Sequence, residues 1–371
     1  MHSLMLSKLS LKLLLKLSSN YRRRLVVWSL SLAIAALAQG FVSGQSGRVS
    51  VPPAGAAVGA EDSSQVSDDE VLRVRTDEVS LPVSVRGPGG VPVAGLTEES
   101  FFVYDNGVRQ KIESFNRERI PVNIVLLLDA SGSVFSQMRL IRQAAKGFIQ
   151  GLMAEDRVCV MQFADKAELL QDWTGAGETE KLLKSLEWRY HPGQSTVFYD
   201  GLYLAATEQL SRVQGRKVII LLTDGIDTAE RKRASFEDAL NAVRIREACV
   251  YVVSLTEQQR SLIEKRAGGR LARLFGGAND EQVRLYLKML EAAERQLGEL
   301  ALRTGGQLFL PREETDLAEA YRAIALELRT QYIITYKPRQ RAAAGEYRQI
   351  RVLVSPGTYE VGAREGYVGR P

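Results

Sequence analysis

Two parts of the chain, one near residue 80 and one after Thr330, alternate apolar with polar residues. This two-residue period is the pattern of β-strands with one buried face, and Val79, Leu81, Val83 and Val85 show it most clearly. The predicted strands cover residues 79–85, 101–103, 108–112, 331–337, 347–354 and 359–364. The chain therefore carries strand-rich segments on both sides of a different central pattern.

Between about residues 121 and 330 the pattern is that of strands alternating with amphipathic helices. Near-continuous apolar runs, typical of buried parallel strands, predict strands at 123–128, 157–163, 167–171, 217–223, 248–255 and 307–310. The predicted fold class is α/β: a Rossmann-like, doubly wound and mostly parallel sheet. Residues 257–303 are charged and longer than the last strand connection requires, so they are predicted to be a helical insertion.

The flanking segments, 70–120 and 331–371, each hold too few strands for an independent sandwich. We therefore predict that they pair into one small β-sandwich and that the α/β domain, 121–330, is inserted between them. The stretch DNG at 105–107 is typical of a tight hairpin, because its last two residues readily adopt positive φ. Residues 45–69 lack large apolar side chains and are predicted to be a flexible linker.

Residues 1–44 are predicted to be a signal peptide or an uncleaved N-terminal anchor. Six basic residues and no acid precede position 45, and a largely apolar stretch covers 25–38. Subtracting those six charges from the net +5 leaves −1 for the rest, which gives no electrostatic footprint for nucleic acid. The sequence predicts an exported protein of the cell envelope or exterior, with membrane contact only through an uncleaved anchor.

Polar side chains follow two of the predicted strands. Asp129, Ser131 and Ser133 come directly after the first strand of the α/β domain, and Asp224 follows the strand at 217–223. A third loop, 193–196, offers a serine and a threonine hydroxyl. Because ligands collect beyond the carboxyl ends of parallel strands, these oxygens are expected to converge. Two carboxylates with hydroxyls suit Mg²⁺ or Mn²⁺ and leave the ion able to accept an anionic oxygen from outside.

These motifs resemble the von Willebrand factor type A domain, whose metal-ion-dependent adhesion site uses DxSxS, a later threonine and an aspartate in a TDG-like loop. Outside that domain, GLTEESFFVYDNGVRQKIESF and ELRTQYIITYKP are similar to the exported acidobacterial-type VWFA-related family. By this resemblance, the expected direct metal ligands are Ser131, Ser133 and Thr196, while Asp129 and Asp224 would bind the ion directly or through water.

The resemblance also distinguishes between the two hydroxyls of the third loop. TVFYD at 196–200 is similar to the family's T-x-L-Y-D run, which implies Thr196 rather than Ser195 as the ligand. Asp200 is then expected behind the ligands or as a capping residue.

The sequence favours a non-enzymatic binding module whose Mg²⁺ is completed by the carboxylate of a protein partner. One alternative is an envelope scaffold in which the metal is purely structural. Another is metal-assisted hydrolysis with His191 as the base, although hydroxyl-rich ligation provides no evident base. Cys159 and Cys249 lie in apolar strand-like runs and are expected to be buried and unpaired.

Overall fold

The computed structural model describes residues 78–117, 120–229, 232–268 and 280–369. The predicted leader, 1–44, and linker, 45–69, lie outside these ranges. Within them the chain forms one six-stranded sheet and two four-stranded sheets. None of the helices in this described part is long and apolar enough to cross a membrane.

The strands are numbered in chain order. They are β1 (Val79–Arg86), β2 (Phe101–Asp105), β3 (Val108–Arg109), β4 (Ile112–Asn116), β5 (Val122–Asp129), β6 (Arg157–Phe163), β7 (Ala167–Gly175), β8 (Arg216–Thr223), β9 (Cys249–Ser254), β10 (Leu308–Phe309), β11 (Tyr332–Tyr336), β12 (Tyr347–Val354), β13 (Glu360–Gly362) and β14 (Gly366–Val368). The described α-helices are α1 (Met138–Gln150), α2 (Thr179–Trp188), α3 (Phe198–Leu204), α4 (Phe236–Ile245), α5 (Thr256–Gly268), α6 (Asp280–Thr304) and α7 (Glu314–Thr330).

The six-stranded sheet has the order β10-β9-β8-β5-β6-β7, and β7 alone runs antiparallel to its neighbour. Every residue of its central strand β5 is buried. Leu126 and Leu128 pack on one face beneath α1, α2 and α7, while Val125 and Leu127 pack on the other beneath α3, α4 and the C-terminal half of α6. The predicted α/β fold class, with helices on both faces of a mostly parallel sheet, is confirmed.

The flanking strands form the two antiparallel sheets β13-β1-β11-β4 and β14-β12-β2-β3. Each sheet combines strands from before and after the α/β unit, and their apolar side chains share one core that includes Leu81, Val103 and Ile334. Asn106 and Gly107 have φ of 46° and 78°, so the DNG stretch makes the tight hairpin between β2 and β3 that was predicted.

A buried polar network joins the sandwich to the α/β unit. Arg86 of β1 donates from Nε to Glu327 Oε2 on α7 at 2.9 Å, and both side chains are almost fully buried. The same carboxylate accepts from Ser84 at 2.6 Å and from the Tyr251 hydroxyl of β9 at 2.7 Å. Gln331 donates to both Ser84 and Tyr251 at 2.8 Å. The junction therefore has a fixed geometry set by charge and hydrogen bonding.

The segment 257–303, predicted as a helical insertion, contains most of α5 and α6 in its described part. Its last turns are part of the main core, because Leu297, Leu300 and Ala301 are buried against the sheet. The N-terminal half of α6 instead packs on a separate small cluster around Ile226. Cys159 and Cys249 are buried in β6 and β9 and form no disulfide.

Candidate metal centre

Asp129 ends β5 at the carboxyl edge of the sheet, with no exposed surface. Its Oδ1 accepts a hydrogen bond from the Ser131 amide at 2.8 Å, and its Oδ2 accepts from the Thr223 hydroxyl at 2.6 Å. The hydroxyl of Tyr190 donates to the Asp129 carbonyl oxygen. These contacts fix the carboxylate while each oxygen keeps a second lone pair for a cation or a water molecule.

The two serines that follow Asp129 are brought together by the 3₁₀ turn Gly132–Gln137. The Ser131 and Ser133 hydroxyl oxygens are 3.0 Å apart. Gly132 between them lies against the third loop, since a Cβ there would be 3.3 Å from the Gln194 carbonyl oxygen. The strand end thus presents two adjacent hydroxyls toward neighbouring loops.

Asp224 follows β8, the strand beside β5, and is also fully buried. Its Oδ1 accepts from the Ile226 amide at 3.0 Å, whereas its Oδ2 has no hydrogen-bond partner among the described residues. A buried carboxylate oxygen without a partner is costly unless a cation compensates it. This oxygen is the observation that best fits a metal ion at this position.

Burial also changes the acid–base behaviour of both carboxyls. It raises the pKa of Asp129 to about 7, helped by the charge of Asp224 and opposed by the hydroxyls of Ser131 and Thr223. Burial raises the pKa of Asp224 against the opposing effect of the Ser133 hydroxyl. Two buried carboxyls therefore repel each other in the protein alone, and a divalent cation would relieve that repulsion.

Thr196 lies in the third loop and is 2% exposed. Its amide donates to the Thr228 hydroxyl at 2.9 Å, and its carbonyl accepts from the amides of Thr228 and Ala229 at 3.1 Å. The Ser195 hydroxyl instead donates to Asp165 at 2.7 Å. Thr196 is therefore tied to the loop after Asp224, and Ser195 is occupied elsewhere, which favours Thr196 as the hydroxyl ligand.

The other two sequence candidates have different surroundings. Asp200 Oδ1 accepts from the amides of Arg233 and Ala234 at 2.9 Å, so it holds the backbone that leads into α4. His191 is exposed, and its Nε2 is 2.8 Å from the Trp188 carbonyl oxygen. Asp200 therefore holds the loop before α4 in place. Among the described contacts, His191 makes none with the proposed ligands.

Sequence reasoning missed several residues that shape the site. Thr223 holds Asp129, and Asp165 accepts from the amides of Gln194 and Ser195 and so fixes the third loop. Tyr286 on α6 is partly buried in the cluster around Ile226, two residues beyond Asp224. Burial raises its pKa, helped by the charges of Asp224 and Asp129. Thr223 is next to Asp224 in the sequence, but Asp165 and Tyr286 come near the site only through the fold.

Two carboxylates and three hydroxyls from three converging loops form a hard-oxygen set of the kind that Mg²⁺ and Mn²⁺ prefer. The sequence model of the von Willebrand factor type A domain family matches residues 123–282, which include all five. The chain contains a von Willebrand factor type A domain. Such domains, here VWA domains, are generally protein-interaction modules and are often metal-dependent. The narrower resemblance to the acidobacterial-type family stays a prediction.

Solved structures that match this chain include three bacterial proteins at low identity. The PilB minor pilin from Streptococcus sanguinis is 14% identical over 58% of this chain and 63% of its own, with a TM-score of 0.40. A von Willebrand factor type A protein from Catenulispora acidiphila is 12% identical over 80% and 74%, with a TM-score of 0.40. The pilus adhesin SpaC from Lactobacillus rhamnosus GG is 12% identical over 75% and 48%, with a TM-score of 0.43.

The chain spans less than two thirds of the length of the PilB minor pilin and of SpaC. No curated protein matches the chain.

Replacing Gly225 by alanine is expected to lower the free energy of unfolding by about 1–3 kcal/mol. Gly225 has φ of 73°, and a Cβ there would lie 2.8 Å from Leu297 Cδ1 on α6. Gly147→Ala is the matched control, because Gly147 is an exposed position inside α1 with open space around its Cβ. Gly147→Ala should raise the free energy of unfolding by about 0.5–1 kcal/mol. Urea unfolding of both variants measures the difference, and equal shifts would contradict the close packing of α6 on this loop.

The stability of the metal-free protein is expected to fall between about pH 4 and pH 7. Asp129 has an ordinary pKa of 3.8 and a folded pKa of about 7, so its protonated form favours the fold. That contribution is fully present below pH 3.8 and is lost as the pH rises to about 7. Mg²⁺ should therefore raise the free energy of unfolding more at pH 8 than at pH 5. Urea unfolding with Mg²⁺ and with EDTA at both pH values measures this stabilisation. A larger stabilisation by Mg²⁺ at pH 5 than at pH 8 would contradict the prediction.

Proposed function

We propose that the chain is an exported protein-binding module whose VWA domain holds Mg²⁺ or Mn²⁺ and captures an acidic group on a protein partner. The observation that carries the proposal is the unpartnered, buried Oδ2 of Asp224 beside a second buried carboxyl, Asp129. A divalent cation at this edge of the sheet compensates both charges.

The metal would be held by the two carboxylates, by the Ser131 and Ser133 hydroxyls and by Thr196. When bound, the ion supplies a positive centre that an outside carboxylate can neutralise, because its ligands here include only two negative charges and neutral hydroxyls. The chain's own contribution is to fix those oxygens. Thr223, Asp165 and the amides of the three loops hold them in place before any partner arrives.

Export is proposed from the basic and apolar composition of the first 44 residues. The β-sandwich is proposed to act as a stalk for the VWA domain, since the buried network of Arg86, Glu327 and Tyr251 fixes the junction between them.

A capture experiment tests the proposal. The full chain is immobilised and exposed to an extract of the native cell envelope, in Mg²⁺ or in EDTA, with and without excess acetate as a competing carboxylate. We expect a partner that is retained only in Mg²⁺ and is released by acetate. Asp224→Ala should lose this partner, whereas Asp172→Ala should retain it. Asp172 lies on the edge strand β7, where it is half-exposed and pairs with Arg212.

Retention of the same partner in EDTA and by Asp224→Ala would overturn metal-dependent capture and move binding to another surface of the chain.

A further inference from the structure

Four of the five proposed metal ligands have almost no exposed surface, and the fifth, Ser133, is partly exposed. Asp129 and Asp224 are 0% exposed, Ser131 is 1% and Thr196 is 2% exposed. A site that binds a partner's carboxylate must let that group reach the ion. Some part of the chain therefore covers most of the site in this conformation.

Helix α5 contacts the loop that carries the two serines. Gln259 in its first turn donates from Nε2 to the Ser133 carbonyl oxygen at 2.7 Å and lies 3.3 Å from Gln137 Oε1. Gln137 in turn donates to Gln258 Oε1 at 3.0 Å. These hydrogen bonds run between α5 and the strand-end loop itself, and the three glutamines are nearly buried.

Helix α6 covers the loop after β8. Ile226, two residues beyond Asp224, is buried against Leu290 and Ala293 of α6, and Gly225 lies under Ala293 and Leu297. The same cluster includes Tyr286 of α6 and Ile263 of α5 as partly buried members. The two helices thus meet over the loops that carry Ser133 and Asp224.

The attachment of these helices over the site is weak compared with the rest of the domain. Among the described residues, the cluster around Ile226 has three buried members, whereas Leu297, Leu300 and Ala301 anchor the far end of α6 in the main core. In the part of α5 whose side chains are described, residues 256–263, the large apolar residues are Leu262 and Ile263, and the other six are polar or charged. Segments with few buried apolar contacts open locally at low free energy.

We propose that α5 and the N-terminal half of α6, together the cap, close the metal site and move aside to admit the partner's carboxylate. This inference rests on the proposed function, because it describes the regulation of the same site. Gln259 holds the cap on the serine loop, and Tyr286 packs in the cluster that holds the cap over the loop after β8. The partner must therefore displace the cap or meet the domain in an open state, and its apparent affinity includes the cost of opening.

The test measures how accessible bound Mn²⁺ is to water, using the full chain and no partner. Electron paramagnetic resonance establishes whether Mn²⁺ binds, and the relaxation rate of water protons reports how freely water reaches it. Wild type should bind Mn²⁺ with little enhancement of relaxation. Gln259→Ala removes the hydrogen bonds to both Ser133 and Gln137. Since one lost hydrogen bond corresponds to about a fivefold change, the open population should rise at least about fivefold, and the enhancement should rise with it. Tyr286→Ala should act in the same direction.

Gln296→Ala is the matched control. Gln296 lies on α6, as Tyr286 does, but outside the cap, and it accepts a hydrogen bond from Tyr199 at 2.8 Å. It should leave the enhancement unchanged. If wild type binds Mn²⁺ and already relaxes water as strongly as the cap variants, the cap is overturned while the proposed metal site stands. If wild type binds no Mn²⁺, the proposed function fails as well.

Hydrogen exchange provides a second measurement that needs no metal. The amides of α5 should exchange through local opening, faster than those of the core helix α7, and Gln259→Ala should accelerate them at least about fivefold while leaving α7 unchanged. Equal protection of α5 and α7, lost only on global unfolding, would overturn the cap.

Discussion

Asp224→Asn is expected to abolish the stabilisation that Mg²⁺ gives the wild-type chain. At a concentration of 100 times its Kd, a bound ion raises the free energy of unfolding by about 2.7 kcal/mol. Loss of even an outer partner of a metal site lowers affinity about 10–100-fold, and Asp224 is proposed to act on the ion directly or through one water molecule. The variant should therefore bind Mg²⁺ at least about 100-fold more weakly. Urea unfolding at pH 8, with Mg²⁺ and with EDTA, measures the effect.

The same variant should be more stable than wild type in EDTA. The neutral amide removes the buried negative charge that repels the Asp129 carboxylate, which should stabilise the metal-free protein by about 1 kcal/mol. Asp172→Asn is the control, because the Asp172 carboxylate is half-exposed. This variant should change neither the stability in EDTA nor the stabilisation by Mg²⁺ by more than about 1 kcal/mol. A variant that is destabilised in EDTA and still responds to Mg²⁺ would contradict the role given to Asp224.

Glu327→Ala is expected to destabilise the chain by about 3–5 kcal/mol, since it leaves the buried guanidinium of Arg86 with its main partner removed. The side chains of Arg86 and Glu327 are 1% and 4% exposed, and the carboxylate also accepts from Ser84 and Tyr251. These hydroxyls would lose a hydrogen-bond partner as well. The midpoint of urea unfolding measures the loss.

Glu360→Ala is the matched control for this prediction. Glu360 pairs with the same arginine at 3.0 Å, but its side chain is 65% exposed. An exposed partner contributes about 0–1 kcal/mol, so this variant should be nearly as stable as wild type. If the two variants lost the same free energy, the junction between sandwich and VWA domain would not depend on the buried network.

Much of the fold follows from local patterns. The buried run of β5 predicted a central parallel strand, and the DNG stretch predicted a hairpin, because each depends on neighbouring residues alone. The proximity of Asp129, Ser131 and Asp224 could also be predicted, since parallel strands bring their carboxyl ends to one edge. The structure places these residues at that edge, on neighbouring strand ends.

Other features depend on contacts between distant parts of the chain. Arg86 lies in an alternating strand, where an arginine usually faces solvent, and Glu327 is 241 residues away. Gln259 contacts Ser133 across 126 residues, in a charged segment whose pattern indicated only helices. The burial of the site could not be predicted for the same reason, because it depends on how α5 and α6 pack over loops that precede them.

The most direct test of the metal site is a crystal structure of the full chain with Mn²⁺, with the ion located by its anomalous scattering. We predict one ion per chain among the loops that carry Asp129, Thr196 and Asp224, in direct contact with the hydroxyls of Ser131 and Ser133. An anomalous signal elsewhere, with none between these three loops, would contradict the account.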